Sequence, residues 1–169
     1  YEILYCTEYV DEFTIMTLRK YKDFEFKNVC NDSIDLDTKE EKEELAKKNN
    51  EAKDMFKTMA EAVSEVKSIR FTNKLKNHPV CLSSDGEISV EMEKAMNAMP
   101  FDNDVKASKV LEINENHPIA KKLENLYNTD KEELKDYTKV LYAQARLIEG
   151  LSIENPTEIS NLICEYLSK

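Results

Sequence analysis

Glycine is nearly absent from this sequence, since Gly86 and Gly150 are the only two in 169 residues. Both common glycine-rich loops that cradle phosphate groups need two or more glycines within about six residues. The two glycines of this chain stand far apart, so neither loop can be written. The sequence therefore predicts no nucleotide-binding site within this chain.

Histidine is equally scarce, because only His78 and His117 occur and each directly precedes a proline. Nucleophilic catalysis needs a nucleophile, a base and an orienting acid, and nothing near either histidine suggests such a set. A turn or capping role is the simpler interpretation. His78 and Cys81 have the spacing of half a zinc site, but no second pair follows. We predict no catalytic residue, metal or cofactor in this chain, and hence no enzyme.

Long apolar runs are also missing, because none approaches the ~20 residues that span a bilayer. We expect no signal peptide, and the net charge of −10 opposes binding to a phosphate backbone. The four cysteines, Cys6, Cys30, Cys81 and Cys164, lie far apart and mostly within apolar stretches. Such spacing is typical of reduced, packed thiols. We therefore predict a cytoplasmic protein with neither nucleic acid nor membrane as partner.

The pattern of apolar residues predicts an α+β fold in two parts. Residues 1–37 read as a small βαβ-like unit, with strands at residues 1–5 and 24–29 around a helix. Because the chain starts inside an expected core strand, we interpret it as a piece of a longer protein. Residues 38–169 predict a small mixed sheet with helices: a helix from Thr38 to about Val66, strands at 68–75 and 79–83, a helix at 89–99, a strand at 109–114 and a helix from 118 to about 127.

The last forty residues predict two amphipathic helices that fold back on each other. The first runs from about Asp130 to Glu149, and the second begins with Asn155 as its cap. One apolar row can face the subunit's own core, which leaves a second row for a partner. We predict a homodimer whose hairpins form a four-helix bundle, the alternative being a hairpin that only closes a monomeric core. The predicted interface residues are Leu134, Tyr137, Val140, Leu141, Ala145, Leu147, Ile148, Ile159, Leu162, Ile163, Tyr166 and Leu167.

Residues 88–99 contain three of the six methionines of the chain. Methionine is flexible and polarizable, and is over-used where a surface accepts varied partners. Spacing alone favours ordinary core packing, whereas the polar stretches at 83–86 and 101–104 favour a helix held away from the body. The apolar residues on one helical face are Ile88, Met92, Ala95, Met96 and Met99.

Three segments together resemble the ninety-kilodalton heat-shock chaperone family, and the resemblance covers essentially the whole chain. They are residues 111–119, residues 2–5 with 10–13, and residues 66–70. The chain lacks the acidic pentapeptide tail of eukaryotic cytosolic members, which indicates a bacterial member. The resemblance implies that residues 1–37 end the family's middle domain and that residues 38–169 are its C-terminal dimerisation domain.

The resemblance also implies two surfaces that hold partly unfolded client proteins. One is the apolar face of residues 88–99, where the small side chain of Ala95 is expected to weaken client binding. The other matches Glu12, Phe13 and Met16, although relatives often have tryptophan where Phe13 stands. ATP and magnesium would bind a domain outside this chain. We expect a homodimerisation and client-contact region of an ATP-dependent chaperone, and the alternative is a purely structural dimerisation module.

Overall fold

A computed structural model describes residues 2–28, 38–86, 88–99 and 105–168. Within these residues the predicted α+β class is confirmed, because helices accompany one sheet of two strands and another of three. The elements in chain order are α1 (Tyr9–Leu18), β1 (Lys20–Tyr21), β2 (Phe24–Glu25), α2 (Lys39–Glu51), α3 (Lys53–Ala60), β3 (Val66–Thr72), β4 (Val80–Ser84), α4 (Val90–Asn97), β5 (Lys109–Asn114), α5 (Pro118–Thr129), α6 (Lys131–Ile148) and α7 (Pro156–Leu167).

The chain divides into two compact units, residues 1–35 with 84–108 and residues 36–83 with 109–169. The first unit contains α1, the β1–β2 hairpin and α4, and α1 packs against α4. The second contains the three-stranded sheet and the remaining helices. The predicted domain division after residue 37 stays a prediction, because compact units need not coincide with domain boundaries.

The three-stranded sheet has the order β3-β5-β4 and supports the main core. Strands β3 and β5 run parallel, with Ile69 opposite Leu111 and Phe71 opposite Ile113. Alternate residues of a strand point to one face, and helices α2 and α3 contact β3 while α5 contacts β5; α6 packs on α3 and α5. The fully buried centre of this core is formed by Met59, Val80, Leu111, Ile113, Leu123 and Leu134.

Helix boundaries follow the side chains that cap the free backbone N–H groups of a first turn. The hydroxyl of Thr38 accepts from the N–H of Glu41, whose carboxylate accepts from the N–H of Thr38. Asp130 caps α6, and Asn155 caps α7. At the far end of α6, Gly150 has φ 68°, which glycine tolerates best. The caps that the sequence predicts at Thr38 and Asn155 are confirmed, and Asp130 lies at the predicted start of α6.

The βαβ-like interpretation of residues 1–37 is wrong within the described residues. Residues 2–7 form no regular structure, and the side chain of Tyr5 is 87% exposed. A strand is stable only beside another strand, and none of the described strands pairs with this segment. The strand expected at 24–29 is limited to Phe24–Glu25, which pairs antiparallel with Lys20–Tyr21. The remaining residues of this predicted unit, 1 and 29–37, lie outside the described ranges.

The single helix expected from Thr38 to Val66 is two helices. Helix α2 ends at Glu51, α3 begins at Lys53, and Ala52 between them has φ −85° and ψ 2°. The two parts differ in burial, since no residue of α2 is buried whereas Met55, Phe56 and Met59 of α3 are. Helix α2 nevertheless touches the sheet, because the side chain of Asn49 bonds both the N–H and the carbonyl of Phe71 in β3.

Candidate functional site

The inward face of α6 belongs to the core of its own subunit. Leu134 and Ala145 have no exposed surface, and Leu141 is buried as well. Thr138 is also buried, and its hydroxyl donates to the carbonyl of Leu134 at 2.8 Å. Three of the twelve residues predicted for the dimer interface, Leu134, Leu141 and Ala145, therefore line this core and offer no surface to a partner.

Helix α7 has the opposite character, because none of the residues of Pro156–Leu167 is buried. Leu167 is 82% exposed and Ile163 is 41% exposed. Ile159, Leu162 and Tyr166 are half-buried. The exposed apolar surface continues on the last turn of α6, where Leu147 is 61% and Ile148 46% exposed. Among the described residues, apolar surface therefore remains exposed on α7 and on the last turn of α6.

Contacts between the two helices show that they run antiparallel as a hairpin. The rings of Tyr137 and Tyr166 lie 4.8 Å apart between centroids. The Tyr166 hydroxyl donates to Asp136 at 3.0 Å, and burial together with this bond raises the pKa of Tyr166. Nζ of Lys139 lies 2.9 Å from Oε1 of Glu158. This bond lowers the pKa of Glu158, so the ionised form of the pair is favoured.

A cluster around Arg146 fixes the connection between α6 and α7. Its Nη1 donates to the carboxylate of Glu65, to which the hydroxyl of Tyr142 also donates at 2.7 Å. Its Nε donates to the carbonyl of Ser152 at 2.7 Å, and Nη1 lies 3.6 Å from Oε1 of Glu154. One guanidinium thereby joins α6, the turn before β3 and the α6–α7 loop. Nothing in the periodicity of the sequence predicts this role of Arg146.

The client patch expected on α1 is partly accessible. Met16 is 43% exposed, whereas Glu12 and Phe13 are half-buried. The carboxylate of Glu12 accepts from the side-chain amide of Asn28 at 3.1 Å. A shallow hollow beside Phe13 is lined also by Thr14, Thr17 and Leu18. The role of Glu12, Phe13 and Met16 in client binding stays a prediction.

The methionine-rich face of α4 lies in the same compact unit as α1. Met99 is 45% exposed, and Ile88, Met92 and Met96 are half-buried. Ala95 is 5% exposed, so it cannot contact a client directly. The structure therefore brings the two predicted client surfaces into one unit, but with α4 only partly accessible.

The His117 side chain caps a helix, and the Cys81 thiol lies beside a carboxylate. Nδ1 of His117 accepts from the N–H of Ile119 at 3.2 Å, which caps α5. Sγ of Cys81 lies 3.7 Å from Oε2 of Glu112. Among residues 2–28, 38–86, 88–99 and 105–168, no group of three metal-binding side chains comes together. In the same ranges, every helix is too short or too polar to cross a bilayer.

The expectation that the cysteines are packed thiols is wrong for two of them. Cys6, in the irregular segment 2–7, and Cys164, on α7, are exposed. Cys81 is half-buried, and burial, followed by the charge of Glu112, raises its pKa to about 12. Cys30 lies outside the described residues.

Comparison with known proteins identifies one family. The model of the Hsp90 protein family matches residues 1–169. Chaperone protein HtpG of Bacillus subtilis (strain 168) is 47% identical over 168 residues, which are 99% of this chain and 27% of that protein. Chaperone protein HtpG of Clostridium perfringens (strain 13 / Type A) is 48% identical over 168 residues, 99% of this chain and 26% of that protein. The chain spans about a quarter of the length of these curated relatives.

Proposed function

The chain belongs to the Hsp90 protein family, and we propose that it is the region through which a bacterial chaperone of this family forms a homodimer. The observation that carries the proposal is α7, a helix with apolar residues on one face and none of them buried. An amphipathic helix normally owes its stability to burial of that face. The α6–α7 hairpin therefore lacks a cover, and a second copy of the same hairpin supplies it.

A second copy suits this surface because a two-fold axis brings the same patch of both subunits together. Two antiparallel hairpins paired in this way form a four-helix bundle. Leu147, Ile148, Ile163 and Leu167 are the most exposed apolar residues of the hairpin. Burying them from both subunits yields on the order of 10 kcal/mol at roughly 1.5–3 kcal/mol per fully buried side chain. This is comparable with an association cost of about 4–15 kcal/mol.

Intermolecular nuclear Overhauser effects test where the subunits meet. A mixture of chain labelled at isoleucine and leucine methyl groups with unlabelled chain should give such effects at Ile163 and Leu167. The buried methyl groups of Leu134 should give none, because they contact only their own subunit. Effects confined to residues outside α6 and α7 would contradict pairing through the hairpin.

Contact with partly unfolded client proteins is the second part of the proposed function. Its support is accessible apolar surface on α1 and just after α4, where Met16 is 43% and Met99 45% exposed. A purely structural dimerisation module is the alternative, and the burial of Ala95 with the half-buried Met92 and Met96 favours it. The two functions differ in whether the exposed methionines matter for holding another protein.

Suppression of aggregation separates these alternatives. The double variant Met16→Ser with Met99→Ser should suppress aggregation of a heat-denatured protein less well than the wild type, because it removes exposed apolar surface. The matched control, Met16→Leu with Met99→Leu, keeps that surface apolar and should act as the wild type does. Equal suppression by the serine and leucine variants would favour the structural module.

The ATPase activity of the whole chaperone is proposed to lie outside this chain. The relatives are about four times as long, which leaves ample length for a nucleotide-binding domain. Gly86 and Gly150, the glycines available here, lie in separate turns and form no phosphate cradle. In a cytoplasmic chaperone of this kind, the dimer holds two ATPase arms at high local concentration.

A further inference from the structure

Helix α7 is only partly covered by its own subunit, with Ile159, Leu162 and Tyr166 half-buried. None of its residues is buried, so its direction depends on the loop at residues 149–155 and on a few contacts with α6. Helix α7 has 12 residues and is about 18 Å long at 1.5 Å per residue. A change of about 10° in its direction therefore moves Leu167 by about 3 Å, close to the size of an aliphatic side chain.

The two ends of the loop are fixed by helix caps. The N–H of Gly150 donates to the carbonyl of Leu147 at 3.1 Å, and the N–H of Leu151 donates to the carbonyl of Arg146 at 2.8 Å. This pair of bonds is a Schellman motif, which ends α6. At the other end, Asn155 accepts from the N–H of Glu158 at 3.2 Å and starts α7. The caps fix each helix end but leave the residues between them undetermined.

Arg146 fixes those intermediate residues. Its Nε holds the carbonyl of Ser152, its Nη1 lies near Glu154, and the same guanidinium is anchored to Glu65 and Tyr142. A guanidinium is planar and rigid, so its donors cannot move independently of one another. The side chain of Arg146 is only 12% exposed, which limits competition from water. The loop is thereby held at a set position relative to the core of the subunit.

We infer that Arg146 is a positioning residue that sets the direction of α7 and so presents its apolar face for pairing with a second copy. The inference rests on the proposed dimerisation for its consequence, although the positioning itself is a property of one subunit. A two-fold bundle requires both copies to present the helix at the same angle. Loss of the Arg146 bonds should therefore weaken pairing without removing any side chain of the apolar face.

The test compares Arg146→Ala with a matched control on the same helix, Lys135→Ala. Lys135 forms ion pairs with Glu61 at 3.3 Å and Glu132 at 3.2 Å, about three turns from Arg146. Arg146→Ala should raise the dimer dissociation constant by about tenfold or more, since charge-assisted bonds are lost. It should also accelerate hydrogen exchange at the amides of residues 151–158. Lys135→Ala should change neither quantity.

Two further measurements keep each outcome decisive. Arg146→Lys retains a cation beside Glu65 but lacks the fork, so it should give an intermediate dissociation constant in a folded chain, as judged by far-ultraviolet circular dichroism. Unchanged exchange and an unchanged dissociation constant in the arginine variants would overturn the inference, and faster exchange with unchanged pairing would overturn it too. If the wild type is monomeric, the proposed dimerisation fails, and hydrogen exchange alone decides whether Arg146 positions α7.

Discussion

Removing the exposed apolar side chains of α7 should abolish pairing while leaving the fold intact. The double variant Ile163→Ser with Leu167→Ser deletes side chains that are 41% and 82% exposed in the single subunit. Together the exposed parts equal a little more than one whole aliphatic side chain. Full burial of one such side chain stabilises by roughly 1.5–3 kcal/mol, and a two-fold dimer contains each residue twice. The loss is thus about 3–6 kcal/mol per dimer, or two to four orders of magnitude in dissociation constant.

Sedimentation equilibrium measures that dissociation constant, and thermal unfolding shows whether each chain remains folded. The matched control is Val10→Ser, which removes an aliphatic side chain that is 63% exposed on α1, outside the hairpin. The control should dimerise as the wild type does. A dissociation constant of Ile163→Ser with Leu167→Ser within about threefold of the wild-type value would refute the reasoning, because it corresponds to less than 1 kcal/mol.

Three further predictions concern the core, a thiol and a surface pair. Leu134→Ala should lower the free energy of unfolding by about 2–5 kcal/mol in denaturant titrations, since Leu134 is fully buried, and a loss below about 1 kcal/mol would contradict its place in the core. With a pKa of about 12, Cys81 should react with a thiol reagent far more slowly than the exposed Cys164 in site-resolved mass spectrometry, and equal rates would contradict its burial. The bond from Lys139 lowers the pKa of Glu158 below its ordinary value of 4.5 in the folded state. The ion pair therefore stabilises the fold above pH 4.5, and this stabilisation is lost as the pH falls through the lowered pKa of Glu158. Thermal unfolding of Glu158→Gln should therefore differ from that of the wild type at neutral pH and converge with it in acid, whereas a constant difference would contradict the linkage.

Local signals in the sequence predict most of the fold of the second unit. The caps Thr38, Asp130 and Asn155 define helix starts because each supplies an oxygen that the first turn needs. The strand Lys109–Asn114 has the predicted bounds. These features depend on residues close in sequence, and the sequence contains all of the information that they require.

Features that depend on distant partners are not predictable in this way. The apolar segment at residues 2–5 reads as a strand, yet a strand needs a neighbour that sequence periodicity cannot supply. The break at Ala52 involves neither glycine nor proline, so no local signal marks it, although α2 and α3 differ in burial. For the same reason the sequence predicts two apolar rows on α6 but does not show that Leu134, Leu141 and Ala145 form the inner one.

The candidate site combines both kinds of feature. The apolar row of α7 is visible in the sequence as a helical repeat, and the structure buries none of its residues fully. The Arg146 cluster joins residues as far apart as Glu65 and Ser152, which no local pattern connects. A charged residue in the last turn of a helix is ordinarily solvated, so its role emerges only from the folded chain.

The molar mass of the chain in solution tests the central claim most directly. Multi-angle light scattering measures this mass. A chain concentration of about 50 µM is more than ten times a micromolar dissociation constant, so a dimer of that affinity would be mostly assembled. Pairing through the α6–α7 hairpin predicts a mass of about 39 kDa, twice the 19.6 kDa of one chain. A mass of 19.6 kDa at that concentration would contradict the account, because the exposed face of α7 would then remain without a second copy.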